Sequence, residues 1–283
     1  VIGGKSSFIF VPLTILLLTF VVSGQRIAVL TPDKTEKSVN FAESLENHLS
    51  DKLKVLDDSM SESAYSSAVP ATPFNLTTEE SKRIGSAIGC EFFILLRAAT
   101  QRRSAFGRAE YYESYAAVYV ISSRTGRLVL WKLPRFEAAK PDIAENMLTD
   151  SVASLAVEIA DKTRLALKLE LTEPAPPTTE EVPDANSPAA KNFRPPVPYR
   201  RVKPEYTAEA ALYDVSATVD LLVDTDANGT ILRTEIVRWA GFGLDESVEK
   251  TVRSMNWRPA ERNGKPLPMR FLLRYNFKKL EKD

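Results

Sequence analysis

Asp224, Asp226 and Asn228 alternate, Gly229 follows, and Glu235 closes a pattern that fits the calcium loop of an EF-hand. A calcium site of that kind needs a helix on each side. Here both flanks alternate with a period of two, and Asn228-Gly229 is a strong hairpin signal. The turn accounts for these residues without an ion. The expectation is therefore no metal and no cofactor, with a calcium-binding module as an outside alternative. Cys90, the one cysteine, stands at the entry to an apolar run and reads as a buried thiol rather than a nucleophile. His48 lies between Leu45 and Leu49 with no cluster of partners, as a surface or boundary histidine would. Glu79-Glu80 opens a helix and Glu180-Glu181 falls in a polar stretch, so helix-dipole complementarity and solubility explain them. No Gly-x-Ser-x-Gly elbow, phosphate-binding glycine loop or His-Glu-x-x-His helix is present. Binding, not catalysis, is the expected class.

Charge narrows the partners. Lys plus Arg and Asp plus Glu are 37 each, so no global field favours nucleic acid. A local basic cluster, Arg194, Arg200, Arg201 and Lys203, has the chemistry to meet lipid headgroups or anionic cell-wall polymer, and equally fits a solvated segment end.

The elements that would position a binding surface are clearest at the carboxy-terminal end. Ala217, Val219, Leu221 and Val223 alternate into the 224–229 turn, and a second strand runs from about Thr230 to Trp239. Asp245 is placed to cap a helix whose apolar residues Val248, Val252 and Met255 fall on one face. Pro259 is expected to stop it. Asn263-Gly264 supplies positive φ for a tight turn, and Met269, Phe271, Leu273, Tyr275 and Phe277 form the core side of a last strand. The unit is strand, turn, strand, helix, strand.

These words in this order resemble the carboxy-terminal domain of the TonB energy-transducer family. They are Pro204-Glu205-Tyr206-Thr207-Ala208-Glu209-Ala210, with Thr207 where the family usually has a second proline; Gly241-Phe242-Gly243-Leu244-Asp245; Trp257-Arg258-Pro259-Ala260; and Asn263-Gly264-Lys265-Pro266. The resemblance covers about residues 196–283. It implies an antiparallel three-stranded sheet plus helix, with Gly241, Gly243, Leu244, Asp245, Trp257, Pro259, Ala260, Asn263, Gly264 and Pro266 as structural positions. It further implies β-augmentation, in which an extended segment of an outer-membrane TonB-dependent receptor, or of another envelope protein, adds a strand to an exposed edge. The residues carried over for that contact are Lys203, Glu205, Tyr206, Arg270, Leu272, Arg274, Tyr275 and Asn276. Inner-membrane motor proteins would supply the force, and edge pairing of two last strands would give a homodimer.

At 283 residues the chain has room for a second core. Residues 26–169 read as an α/β domain with a mixed sheet. Ile27 to Leu30 is a strand, Asn40 with Glu43 opens a helix carrying Phe41, Leu45, Leu49 and Leu53, and Lys54 to Leu56 is a second strand. Thr77 and Glu80 make a capping box before a helix that stops at Gly89. Glu91 to Leu96 reads as a strand buried on both faces. Tyr111 to Ile121 turns through Arg124-Thr125-Gly126 into Leu128 to Lys132, and one closing helix is expected from about Pro141 to Leu167. This plan resembles periplasmic α/β domains of envelope assembly factors, of the curli secretion channel and TolB amino-terminal type. The whole is an α+β protein of two domains.

Residues 170–195 read as a Pro-rich linker of polar composition. Residues 1–24, with an apolar block at 8–22, fit a signal peptide or an inner-membrane anchor, and either places Gln25 onward in the periplasm of a Gram-negative bacterium. Two functions are open: partner binding in energised transport across the outer membrane, and a non-energised scaffold or tether. The second is favoured by the absence of a histidine between Phe8 and Val22, where the resembled family's membrane helix normally carries one.

Overall fold

The structure is a computed structural model that describes residues 25–68, 72–105, 108–175 and 179–279. The expected signal peptide or anchor lies outside the described residues. Among those residues, no helix is long and apolar enough to cross a membrane.

The amino-terminal unit runs β1 (Arg26–Leu30), α1 (Glu36–Ser50), β2 (Lys54–Val55), α2 (Asp58–Ser67), α3 (Thr78–Ile88), β3 (Phe92–Ala105), β4 (Arg108–Ser122), β5 (Leu128–Lys132), β6 (Arg135–Ala138), α4 (Pro141–Asp150) and α5 (Val152–Thr172). Its sheet has the order β2-β1-β3-β4-β5, with β6 also on β4. β1 is parallel to β2 and β3, whereas β3 and β4 form a long antiparallel pair, so the sheet is mixed as expected. Alternate residues of β3 serve two cores. Phe92, Ile94 and Leu96 pack with Phe41, Leu45 and Leu49 of α1 and Leu155 and Ile159 of α5. Phe93 and Leu95 point the other way, toward Ile84 of α3 and Tyr119 of β4.

Several boundaries differ from the sequence reading. α1 begins at Glu36, not Asn40, because the Thr35 hydroxyl takes the Ser38 amide at 3.3 Å. Its first turn is polar yet inward-facing: the Ser38 hydroxyl accepts the Ala98 amide at 2.9 Å, a buried contact that hydrophobic periodicity does not register. α2 is additional: the Asp57 carboxylate accepts the Met60 amide and starts a helix in a stretch that reads as loop. The closing helix divides at Ser151, whose hydroxyl bonds the Leu148 carbonyl. The Thr77–Glu80 capping box and the left-handed Gly89 cap form as read.

The carboxy-terminal unit contains β7 (Phe193–Arg194), β8 (Val197–Pro198), α6 (Ala208–Leu212), β9 (Ala217–Thr225), β10 (Ile231–Arg238), α7 (Leu244–Ser254), β11 (Trp257–Arg258), β12 (Ala260–Arg262), β13 (Lys265–Leu267) and β14 (Met269–Phe277). β9 is central in an antiparallel sheet of order β10-β9-β14. Val219, Leu221, Val223, Phe271 and Phe277 form its core side with Val248 and Val252 of α7 and with Trp257. Asp245 does not cap α7: Gly243 is the cap, and Asp245 sits in the first turn and reaches back to the preceding loop. Nor does Pro259 end the helix, which stops at Ser254 when Met255 turns extended. Asn263 and Gly264 have φ of 51° and 75°, and their turn joins β12 to β13 in a small extra hairpin. α6 is also additional, started by Thr207 accepting the Ala210 amide.

The carboxy-terminal unit lies against the second face of the amino-terminal sheet. Tyr119 packs on Trp239 with ring centres 5.4 Å apart, Trp131 on Phe242 at 5.0 Å and Tyr115 on Tyr213 at 4.7 Å. The Asn75 side chain spans the join, donating to the carbonyls of Thr218 and Trp239 and accepting the Thr218 amide. Glu113, 2% exposed, accepts from Arg103, Gln101 and the Tyr213 hydroxyl. A cavity of about 350 Å³ remains at this join, walled by Phe74, Tyr115, Tyr213 and Phe242 with Arg97 on its lining.

Candidate partner-binding site

β9 alternates strictly, so the face opposite α7 carries Asp220, Leu222 and Asp224. The two acids are 2% and 3% exposed. Each is matched across the strands: Asp220 opposes Arg238 and Arg274, and Asp224 opposes Arg233 and Arg270. Arg274 binds Asp220 through two hydrogen bonds of 2.7 and 2.9 Å, and Arg270 binds Asp224 through two of 2.7 and 2.8 Å. Such forked pairs fix both partners. Burial opposes the charge of Asp220, but Arg274 and then Arg238 outweigh it and hold the acid below its ordinary range. The same alternation keeps Leu272 exposed at the centre of the face, opposite Leu222.

On β14 the backbone groups alternate in the plane of the sheet. The Arg270 amide donates to the Glu180 carbonyl at 2.8 Å and its carbonyl accepts the Val182 amide at 3.1 Å, so both point away from β9. By the period of two, the amides and carbonyls of Leu272, Arg274 and Asn276 face the same way. Among the described residues no strand pairs with them, and they form an open edge on the β14 flank away from β9. The short contact at Arg270 is parallel, Glu181 bridging Arg270, and Arg262 adds an ion pair to Glu180. Residues 180–182 thus bind the carboxy-terminal sheet within the stretch that composition reads as linker.

The residues carried over from the sequence divide between two environments. Arg270, Leu272, Arg274 and Asn276 come together on one face and edge. Tyr275 points to the core side with Phe277 and is half-buried. Tyr206 donates to the Ala210 and Val215 carbonyls and stacks on Phe277, while the Glu205 carbonyl accepts the Ser247 hydroxyl. Lys203 is exposed. Of the calcium-like residues, Asp224 is held by Arg270, Asp226 accepts the amides of Asn228 and Thr230, and Glu235 is bound to Arg127 and Arg233. The sequence alone assigns no partner-binding role to Asp220, Asp224, Arg262 or Glu180. A signal existed for the first two: Asp220 and Asp224 are four apart in one strand, as Arg274 and Arg270 are in another.

The loop before α7 is held by Asp245. Its carboxylate accepts the amides of Ala240 and Gly241 at 2.9 and 2.7 Å. Burial pushes its pKa up to about 7, against those two hydrogen bonds.

Strand order, the helix on one face and the Gly241–Asp245 turn define a TonB-like carboxy-terminal domain. Residues 202–279 match the family described as Gram-negative bacterial TonB protein C-terminal. Among solved structures, the carboxy-terminal domain of TonB from Pseudomonas aeruginosa is 19% identical, covering 35% of this chain and 93% of that one with a TM-score of 0.27. The hypothetical protein CT253 from Chlamydia trachomatis is 13% identical over 50% of this chain and 99% of its own, TM-score 0.34. Lipoprotein GNA1162 from Neisseria meningitidis is 12% identical over 48% and 99%, TM-score 0.34. No curated protein matches.

Proposed function

We propose that this chain is a TonB-like periplasmic protein that binds an extended segment of an outer-membrane receptor, or of another envelope partner, as an added strand on β14, and so contributes to energised transport across the outer membrane. The observation that carries this reading is the outward direction of the Arg270 backbone, which the strand's period extends to Leu272, Arg274 and Asn276. Backbone pairing tolerates many sequences, which suits a partner recognised by its extended form. The Arg270–Asp224 and Arg274–Asp220 forks hold the edge strand in place under load. Inner-membrane motor proteins would supply that load, and a second copy of β14 would compete for the same backbone groups as a homodimer.

Leu272→Pro tests this. The Leu272 amide points away from β9, so proline leaves the β9 ladder intact while removing a central donor from the edge. The expected outcome is a folded protein that no longer supports receptor-dependent uptake in a Gram-negative host. Undiminished uptake would overturn the assignment.

A second reading, the non-energised scaffold, draws on the contact between the two units. Glu113–Tyr213 and the Tyr119–Trp239 stack hold the carboxy-terminal unit against its neighbour, as a fixed platform would require. Uptake indifferent to the proton gradient, together with impaired envelope integrity on loss of the protein, would favour it.

A further inference from the structure

The amino-terminal end of the proposed edge is occupied by the chain itself. Glu180 and Val182 satisfy both outward backbone groups of Arg270, and the Glu180 carboxylate is forked onto the Arg262 guanidinium. This segment runs parallel to β14, entering as an added strand would. It then stops. Asp184 folds the chain away, its carboxylate accepting the Asn186 amide and its carbonyl the Ser187 amide, so Leu272, Arg274 and Asn276 are not reached by it. Downstream the chain is fixed again where Phe193 and Arg194 pair with β12. Upstream, Glu173 is bound to Arg127 at the end of α5. The pairing residues are therefore strung between two anchored points and kept close to the edge at high effective concentration.

We infer that residues 180–182 are a tethered pseudo-ligand, an internal strand that closes the Arg270 end of β14 and must be displaced before an outside strand can pair along its whole length. This rests on the edge-binding reading. Among the described residues the contact of 180–182 with the sheet is small, two backbone hydrogen bonds to Arg270 and the surface Glu180–Arg262 ion pair, so it competes without locking. Population arithmetic sets its size: a tether closed nine-tenths of the time weakens an outside competitor about tenfold. Neither Glu180 nor Val182 belongs to a core, so both can be changed without disturbing the sheet.

The test compares the full chain with its Glu180→Ala/Val182→Pro double variant, which removes the ion pair and the Val182 donor. Amide hydrogen exchange at Arg270 is one readout. The other is binding of a synthetic peptide of residues 179–183, followed through the amide resonances of Leu272 and Arg274. The expected result is about tenfold faster exchange at Arg270 in the variant and about tenfold tighter peptide binding. Equal exchange at Arg270 in both proteins would overturn the tether and leave edge binding standing. Equal, measurable peptide affinity for both would overturn the competition, again without harm to edge binding. Faster exchange with no peptide binding to either protein would count against the edge-binding reading itself and take the tether's role down with it.

Discussion

Two acids in the carboxy-terminal unit show how neighbours decide the state of a carboxyl. Asp220 is nearly covered but faces two guanidinium groups, and remains the charged centre of an Arg238–Asp220–Arg274 row. Asp245 is also buried, and among the described residues only backbone amides answer its charge, with no cation bound to it. Burial therefore raises its pKa from 3.8 to about 7. Between those two values the unfolded chain has lost the proton and the folded chain keeps it, so Asp245 favours the fold at low pH and that contribution is lost as pH rises through about 7. Stability should fall by up to about 1.4 kcal/mol per pH unit across this window relative to Asp245→Asn. Urea unfolding of both proteins at several pH values checks this; a wild-type minus variant difference that is flat with pH would disprove the assignment.

At the scale of elements, the Gly241–Asp245 turn is one of the places where the carboxy-terminal unit touches its neighbour. Gly241 has φ of 71°, and a Cβ there would lie 2.6 Å from ring atoms of Trp131. Gly89 has a similar φ of 78° but open space around it. Gly241→Ala should therefore cost more than Gly89→Ala: about 2–4 kcal/mol against about 1 kcal/mol, the second being the backbone penalty alone. Denaturant midpoints measure the two. Equal costs would mean that Trp131 moves aside freely and that the turn is not held against β5.

At the scale of the whole molecule, Phe93, Leu95 and Tyr119 of one unit and Val219, Trp239 and Phe271 of the other belong to one hydrophobic cluster. Trp239 is 1% exposed. Trp239→Ala should lower stability by about 3–5 kcal/mol, as truncation of a buried aromatic does, and should do so for both units. Calorimetry is expected to show one transition for the native chain, with equal calorimetric and van't Hoff enthalpies. Two separated transitions, only the carboxy-terminal one shifted by the substitution, would show that the contact is loose.

The sequence by itself determined the local grammar of this protein. Period-two runs fixed β9 and β14 and their core sides, Thr77 with Glu80 fixed the start of α3, and the ordered words from Pro204 to Pro266 fixed the TonB-like plan. Those features depend on neighbours close along the chain or on spacing within one strand. Helix starts with polar, inward-facing residues were less legible, because Ser38 is buried by a hydrogen bond to Ala98, sixty residues away, rather than by being apolar. What only the tertiary structure decided is which edges and faces are already used. Composition gave residues 170–195 no reason to order, yet Glu180 and Val182 find the unpaired backbone of Arg270 and the cation of Arg262. The double burial of β3 was readable, but that its second face is closed with help from Tyr119, Trp239 and their neighbours was not. Both are long-range pairings, and their partners become neighbours only when the chain folds.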